Sequence, residues 1–470
     1  MVVRGVPERL AKDGWWLDDA PPRRVSPIWL LLALLICADQ LVWGVTAGLG
    51  FVVCVFAVAL AVYLTRRCEV PRSRAMVAWA LLLVSLLPSV DLVQPLSVGF
   101  ALLGLAAFSA CMITSEWDAS ALLRVMARLP GAGLAQTFGD VRDARVSAPS
   151  KATLWQVFAD WLLPVAIGGA FIILMAVANP VVDTWLARLA ALETGFSPSV
   201  GRVVFWCLTA LATWPLLRLT AMTKMLQRPS RQLVLPQSGL VNGRSVSRAL
   251  VLFNLIFAVQ SLLDASYLWG GVSLPEGMTY AEYAHRGAYP LLAVALLAGA
   301  FALMSQPFVG DRPLLRVLLY IWIAQTVLLV LSSILRLDLY VEAYGLTRLR
   351  FAAFIWMVLV ALGLVLMIMQ MVGGQHVSWF VARAAGLGML ALYAVSLVNV
   401  DGLIARHNLA VGKVDAFYLC NLSEGALAAI AADDQLSCMR WVSHPQDWRE
   451  WGFRNARLRR SLAAIDEVQR

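Results

Sequence analysis

Three short polar stretches hold the side chains of this sequence whose types and spacing suit binding chemistry. The first has Tyr280, Glu282, Tyr283, His285 and Arg286; the second has Arg336, Asp338, Tyr340, Glu342, Tyr344, Arg348 and Arg350; the third has Asn399, Asp401, Arg406, His407 and Asn408. An arginine fork grips a carboxylate or phosphate through two parallel hydrogen bonds, and a tyrosine suits a half-wet surface. Glu282, Arg286, Tyr340, Glu342, Tyr344, Arg348, Asp401 and Arg406 are therefore candidates for holding an anionic solute or a lipid headgroup. Glu282, Glu342 or Asp401 would equally serve as a general base with arginines holding phosphate. Structural pairing explains the same residues as well: Glu282 and Arg286 are four apart on a helix, and the tyrosines fit an aromatic belt at a membrane surface.

The elements that must position these residues are membrane helices. The chain has 470 residues, of which 60% are hydrophobic and 14% charged, and its mean hydropathy is +0.74. Soluble domains run nearer ~45–50% apolar and ~25% charged, so one soluble core would not hide this much apolar surface. The apolar residues fall in runs of roughly 17 to 25, the length with which an α-helix crosses about 30 Å of hydrocarbon, and the alternating segments of a β-barrel are missing. The pattern predicts an all-α polytopic membrane protein with eleven spans, at 28–44, 47–65, 75–91, 95–114, 158–178, 202–221, 249–270, 287–306, 313–335, 351–371 and 377–398. Asp39 and Gln40 interrupt the first run, so the first two spans read either as a tight hairpin or as one bent element.

Charge orients the bundle. With the N-terminal segment 1–27 in the cytoplasm, twenty-two Lys and Arg fall on inner segments and six on outer loops. The positive-inside rule supports that choice, and an odd number of spans puts the C-terminus outside. Orientation thus accounts for the net charge of +9, and no nucleic-acid partner is needed. No small-residue cleavage site follows the first apolar run, so it reads as an uncleaved span. The organisation expected is an N-terminal bundle over 28–248 with cytoplasmic loops at 115–157 and 222–248 that hold amphipathic helices, then a C-terminal bundle over 249–400. Val181 to Leu192 reads as an interfacial helix. A small helical appendage over 401–470 rests on the outer membrane face, with Trp441, Trp448 and Trp451 as its apolar surface and helical spacing over Val414–Ala432 and Asp447–Val468.

Motif chemistry is sparse. The four histidines form no zinc-protease pair, and neither a nucleophile elbow nor a Walker loop occurs, so no metal and no cofactor is expected. Five cysteines lie in or beside spans and read as small buried hydrophobes, whereas Cys420 and Cys438 fall in the appendage, where a disulfide can form. Inside the spans the most informative charge is Asp264, which shares its helix with Asn254, Gln260 and Ser261. Interhelical hydrogen bonding and a solute path explain that polar stripe about equally.

The runs Met278–Gly287, Tyr340–Arg350 and Asp401–Asn408, taken together, resemble the bacterial polytopic membrane family catalogued as domain of unknown function 4173, close to 4153. The resemblance covers roughly residues 249 to 430, and at His407 this sequence departs from the tyrosine of the family's pattern. It implies a multi-pass protein of the bacterial inner membrane with this span order, and no activity. Three functions fit: transport or translocation of an envelope solute or lipid through an outer polar site, a membrane-embedded lipid or glycan enzyme, or a scaffold engaging an envelope protein through residues 401–470.

Overall fold

The computed structural model describes residues 26–66, 70–114, 119–146, 167–169, 199–226, 243–266, 293–305, 308, 312–433, 436, 438, 442 and 444–468. These residues are helical, with no strand among them, and the chain is an all-α multi-pass membrane protein. Eight described helices are long and apolar enough to cross a membrane, and two shorter apolar helices, Pro27–Val42 and Ala293–Ser305, accompany them.

The chain folds as two compact units. The first contains α1 (Pro27–Val42), α2 (Leu49–Arg66), α3 (Arg72–Asp91), α4 (Pro95–Ile113), α5 (Ala119–Val146), α6 (Val200–Leu217) and α7 (Leu219–Leu226). The first two expected spans are separate helices, because Gly44 takes a positive φ of 74° and breaks the run between them. Polar residues pin this unit where apolar contact alone would leave helices free to rotate. Asp39 accepts from Trp206 Nε1 at 2.9 Å and pairs with Arg202, tying α1 to α6. Asp140 of α5 accepts from Trp214 Nε1 at 3.0 Å and from Arg218 at 2.9 Å. Thus α5, the amphipathic helix expected in the loop 115–157, buries Val125, Leu129 and Ala132 and is part of the unit's core. In α3 and α4 the backbones meet closely at Gly104, where a Cβ would lie 1.6 Å from Ser85 Oγ.

The second unit contains α8 (Gly243–Asp264), α9 (Ala293–Ser305), α10 (Pro313–Tyr344), α11 (Arg348–Val372), α12 (Val377–Leu397), α13 (Val400–Ala410), α14 (Ala416–Cys420), α15 (Leu427–Ile430) and α16 (Phe453–Val468). Its core clusters Leu250, Phe257, Leu319, Trp322, Ile323 and Met357. One expectation needs correcting. The charges from Arg336 onward predict a loop, but α10 continues to Tyr344, and only Gly345, at φ 75°, stops it. Its 32 residues rise about 48 Å, well beyond a hydrocarbon core of about 30 Å. The reason is the spacing of Leu337 and Val341, both buried, which continues the apolar helical face past the charges.

The C-terminal region also differs from two long helices. Val414–Ala432 forms short helices because Asn421 and Ser423 interrupt them, and the stretch after Asp447 starts as a single turn, Trp448–Glu450, before α16 begins. Ala405, Leu419, Ala426, Ile430 and Leu436 form a small core of their own, closed by a disulfide between Cys420 and Cys438. Residues 444–453 belong to the first unit. There Glu450 accepts from the N–H of Thr46 and of Gln446, and Leu49 N donates to the Trp451 carbonyl at 2.9 Å, so this strap closes over the α1–α2 turn. The fit depends on Gly48, whose Cβ would sit 2.5 Å from the Glu450 carbonyl carbon. The expected span 158–178 lies outside the described residues apart from 167–169, as does the expected interfacial helix Val181–Leu192.

Candidate functional site

Two charged nodes stand at one end of the second unit. The first joins the end of α10, the start of α11 and the start of α13. Thr347 caps α11, and one residue later Arg348 Nε donates to Asp401 Oδ1 at 2.6 Å while its Nη2 donates to Oδ2. Asp401 also accepts from Ser423, through the backbone N–H at 3.0 Å and through the hydroxyl. Burial pushes the Asp401 carboxyl up, but the hydrogen bonds from Arg348 and Ser423, with the guanidinium charge, outweigh burial and hold it below the ordinary carboxylate range. Asn408 reads the turn between the helices, accepting from Leu346 N and donating to Leu346 O at 2.9 Å. Asn399 caps α13 and donates to Gly425 O at 2.8 Å. Arg350 donates to the carbonyls of Tyr344 and Gly345 and lies 4.3 Å from the Tyr340 ring centroid, itself 5.0 Å from that of Tyr344.

The expected cluster is therefore only partly assembled. Arg348 meets Asp401, and Tyr340 meets Tyr344, while Glu342 and Arg406 are exposed. Glu282 and Arg286 lie outside the described residues. A carboxylate poised as a general base is favoured by a raised pKa; that of Asp401 is lowered by the donors it accepts from, Arg348 and Ser423, which act to tie α11 and α13 together. Among the appendage tryptophans, Trp448 is exposed, Trp451 is half-buried and Trp441 lies outside the described residues.

The second node lies between α8 and α10. Asp264 pairs with Arg336 and accepts from the Ser332 hydroxyl, while Gln260 Nε2 donates to it at 2.8 Å. Both charged residues are buried, at 6% and 3% exposure. Sequence reasoning singled out Asp264 and missed its partner, because Arg336 was placed in a loop. The signal that finds it is periodicity. Residues 250, 254, 257, 261 and 264 of α8, and 318, 322, 325, 329, 332 and 336 of α10, step by four and three, the spacing of a packing seam. The contacts follow that register: Asn254 donates to Leu318 O at 3.1 Å, and the Phe257 and Trp322 ring centroids are 4.1 Å apart. Along the same seam Asn254 Oδ1, Ser261 Oγ and Gln325 Oε1 are buried without a hydrogen-bond partner among the described residues. The family model described as Domain of unknown function (DUF4153) matches residues 27–432, and this seam and the Arg348–Asp401 node both lie inside the match.

The chain belongs to that family. The match extends the resemblance seen over 249–430 back to residue 27. No curated protein and no solved structure matches the chain. Among the described residues no three His, Cys, Asp or Glu side chains are grouped to hold a metal ion.

Proposed function

We propose that this protein of the DUF4153 family moves a polar envelope solute or a lipid headgroup through its second unit, along the seam between α8 and α10. The observation that carries the reading is the buried pair Asp264–Arg336 followed down the same seam by three buried oxygens that lack partners among the described residues. Two charges withdrawn from water cost several kcal/mol each in effective terms, and well-packed apolar residues would hold the same helices at least as well. Interhelical hydrogen bonding accounts for uncharged polar residues in such a seam; a buried ion pair with further buried polar groups in line inside a membrane bundle favours a solute or ion path. By the charge count of the sequence the pair stands toward the outward face of a bacterial inner membrane, where the Arg348–Asp401 latch supports the rim.

The test uses purified protein in liposomes that carry a trace of fluorescent phosphatidylglycerol or phosphatidylethanolamine, with dithionite outside to bleach accessible label. With wild-type protein the dithionite is expected to reach and bleach the inner-leaflet pool as labelled lipid crosses, and Asp264→Asn is expected to slow that loss about tenfold or more. The double variant Asp264→Leu, Arg336→Leu should fold and fail to translocate. If that variant matches wild type, the pair only packs helices and the reading falls. If wild type moves neither lipid, a trapped anionic dye replaces the label and the same variants are compared; dye retention equal to that of empty liposomes ends the transport reading.

A further inference from the structure

We infer that the turn Val411–Phe417 is a lipid-inserting tip that holds the α13–α15 lobe in the surface of the same membrane its spans cross. Phe417 is 82% exposed, and Val411 and Val414 are exposed beside it. An aromatic ring with two branched aliphatics held in solvent is a costly arrangement on an aqueous surface, unless apolar contact covers them.

Their contacts with the start of a candidate span point to what covers them. The Tyr418 hydroxyl accepts from Arg348 N at 2.9 Å, so the residue after Phe417 reaches the first residue of a candidate membrane-crossing helix. On the other side of the turn, a Cβ on Gly345 would lie 3.3 Å from Lys413 Cβ, so the tip rests directly on the α10–α11 connection. The lobe is also sunk into the end of the bundle: Ile404 is fully buried with Val341 and Leu346, and Phe351 and Phe354, from the first two turns of α11, pack against that cluster. An exposed apolar face resting beside the first turn of a candidate span falls within reach of the headgroup and upper acyl region, where half-apolar tips are favoured. Leu349, 76% exposed on that same first turn, and Tyr344, 59% exposed at the end of α10, add apolar surface at the helix ends. Lys413, flanked by Val411 and Val414, is placed to reach phosphate while its stem stays in the apolar zone. Asp415 does not oppose this, since it caps α14 by accepting from Tyr418 N.

The test places the photo-crosslinker p-benzoyl-phenylalanine at position 417, and in a second variant at 414, in the full chain within cell membranes. After irradiation, mass spectrometry reads what each position has captured. Position 349, 76% exposed on the first turn of α11, is the positive control, and Leu419, fully buried, is the negative one. The expected result is a mass shift of one phospholipid at 417, 414 and 349, and none at 419. A protein adduct at 417, whether from another protein or from a second copy of this chain, overturns the proposal in favour of a protein interface. Capture of phospholipid at 349 with none at 417 or 414 overturns it as well.

Discussion

Asp264 and Asp401 are each paired with an arginine, yet their environments give the two pairs different consequences. Removing one partner of the Asp264–Arg336 pair strands a buried charge, so Asp264→Asn should destabilise the second unit by about 3–5 kcal/mol, whereas replacing both with leucine should be neutral or stabilising by about 1–4 kcal/mol. Thermal unfolding in detergent of wild type and of the single and double variants reads the difference, and a double variant less stable than wild type would show that the pair is a net stabiliser. Asp401→Ala removes a latch whose arginine is half in solvent, with a side-chain exposure of 54%, so the expected loss is smaller, about 1–3 kcal/mol. Because the Asp401 carboxyl is held below its ordinary value, its contribution is present in full above about pH 4 and disappears as pH falls through the lowered value of the folded protein. Glu450 behaves in the same sense, held down first by the Gln446 N–H and then by the Thr46 N–H. Protease sensitivity of the C-terminal region should therefore be flat from neutral pH down to about pH 4.5 and rise only below that.

At the level of elements, the C-terminal region depends on a covalent and a steric closure. The Cys420–Cys438 bond spans 18 residues of sequence and stabilises the small lobe by about 3 kcal/mol on loop-entropy grounds. Those two thiols should resist alkylation until reductant is added, and reduction should open the lobe to trypsin; labelling at Cys420 without reductant would contradict the pairing. Gly48→Ala places a methyl group where the Glu450 backbone lies, so the strap should leave the α1–α2 turn. Faster hydrogen exchange at the N–H groups of Thr46 and Leu49 would report the release. The strap and the lobe were only partly legible beforehand. Helical spacing over Val414–Ala432 was correctly apolar, but it did not reveal that Asn421 and Ser423 would stop each helix after a turn or two. The length of α10 was hidden for a related reason: charges at Arg336 and Asp338 look like a loop until the buried face through Leu337 and Val341 is seen to continue.

For the whole molecule, orientation is the property that charge counting addresses and packing does not. Alkaline phosphatase fused at the C-terminus should be active, and fused within 115–118 inactive, if the N-terminus is cytoplasmic. The opposite pattern would turn the Asp264–Arg336 end toward the cytoplasm and with it the face from which a solute enters. What the amino-acid order determined by itself is the class: long apolar runs have no aqueous fold open to them, and a backbone in hydrocarbon must satisfy its hydrogen bonds within helices. That argument is local, so all but one of the expected spans overlap described helices, eight of which are long and apolar enough to cross a membrane. Which charges meet is not local. Asp264 lies 72 positions from Arg336 and Asp401 lies 53 from Arg348, and nothing in either stretch specifies its partner until helix packing brings a register into line. Only the tertiary structure decided that the conspicuous arginine and aspartate of the polar loops satisfy each other, while a less conspicuous arginine reaches the carboxylate buried between spans.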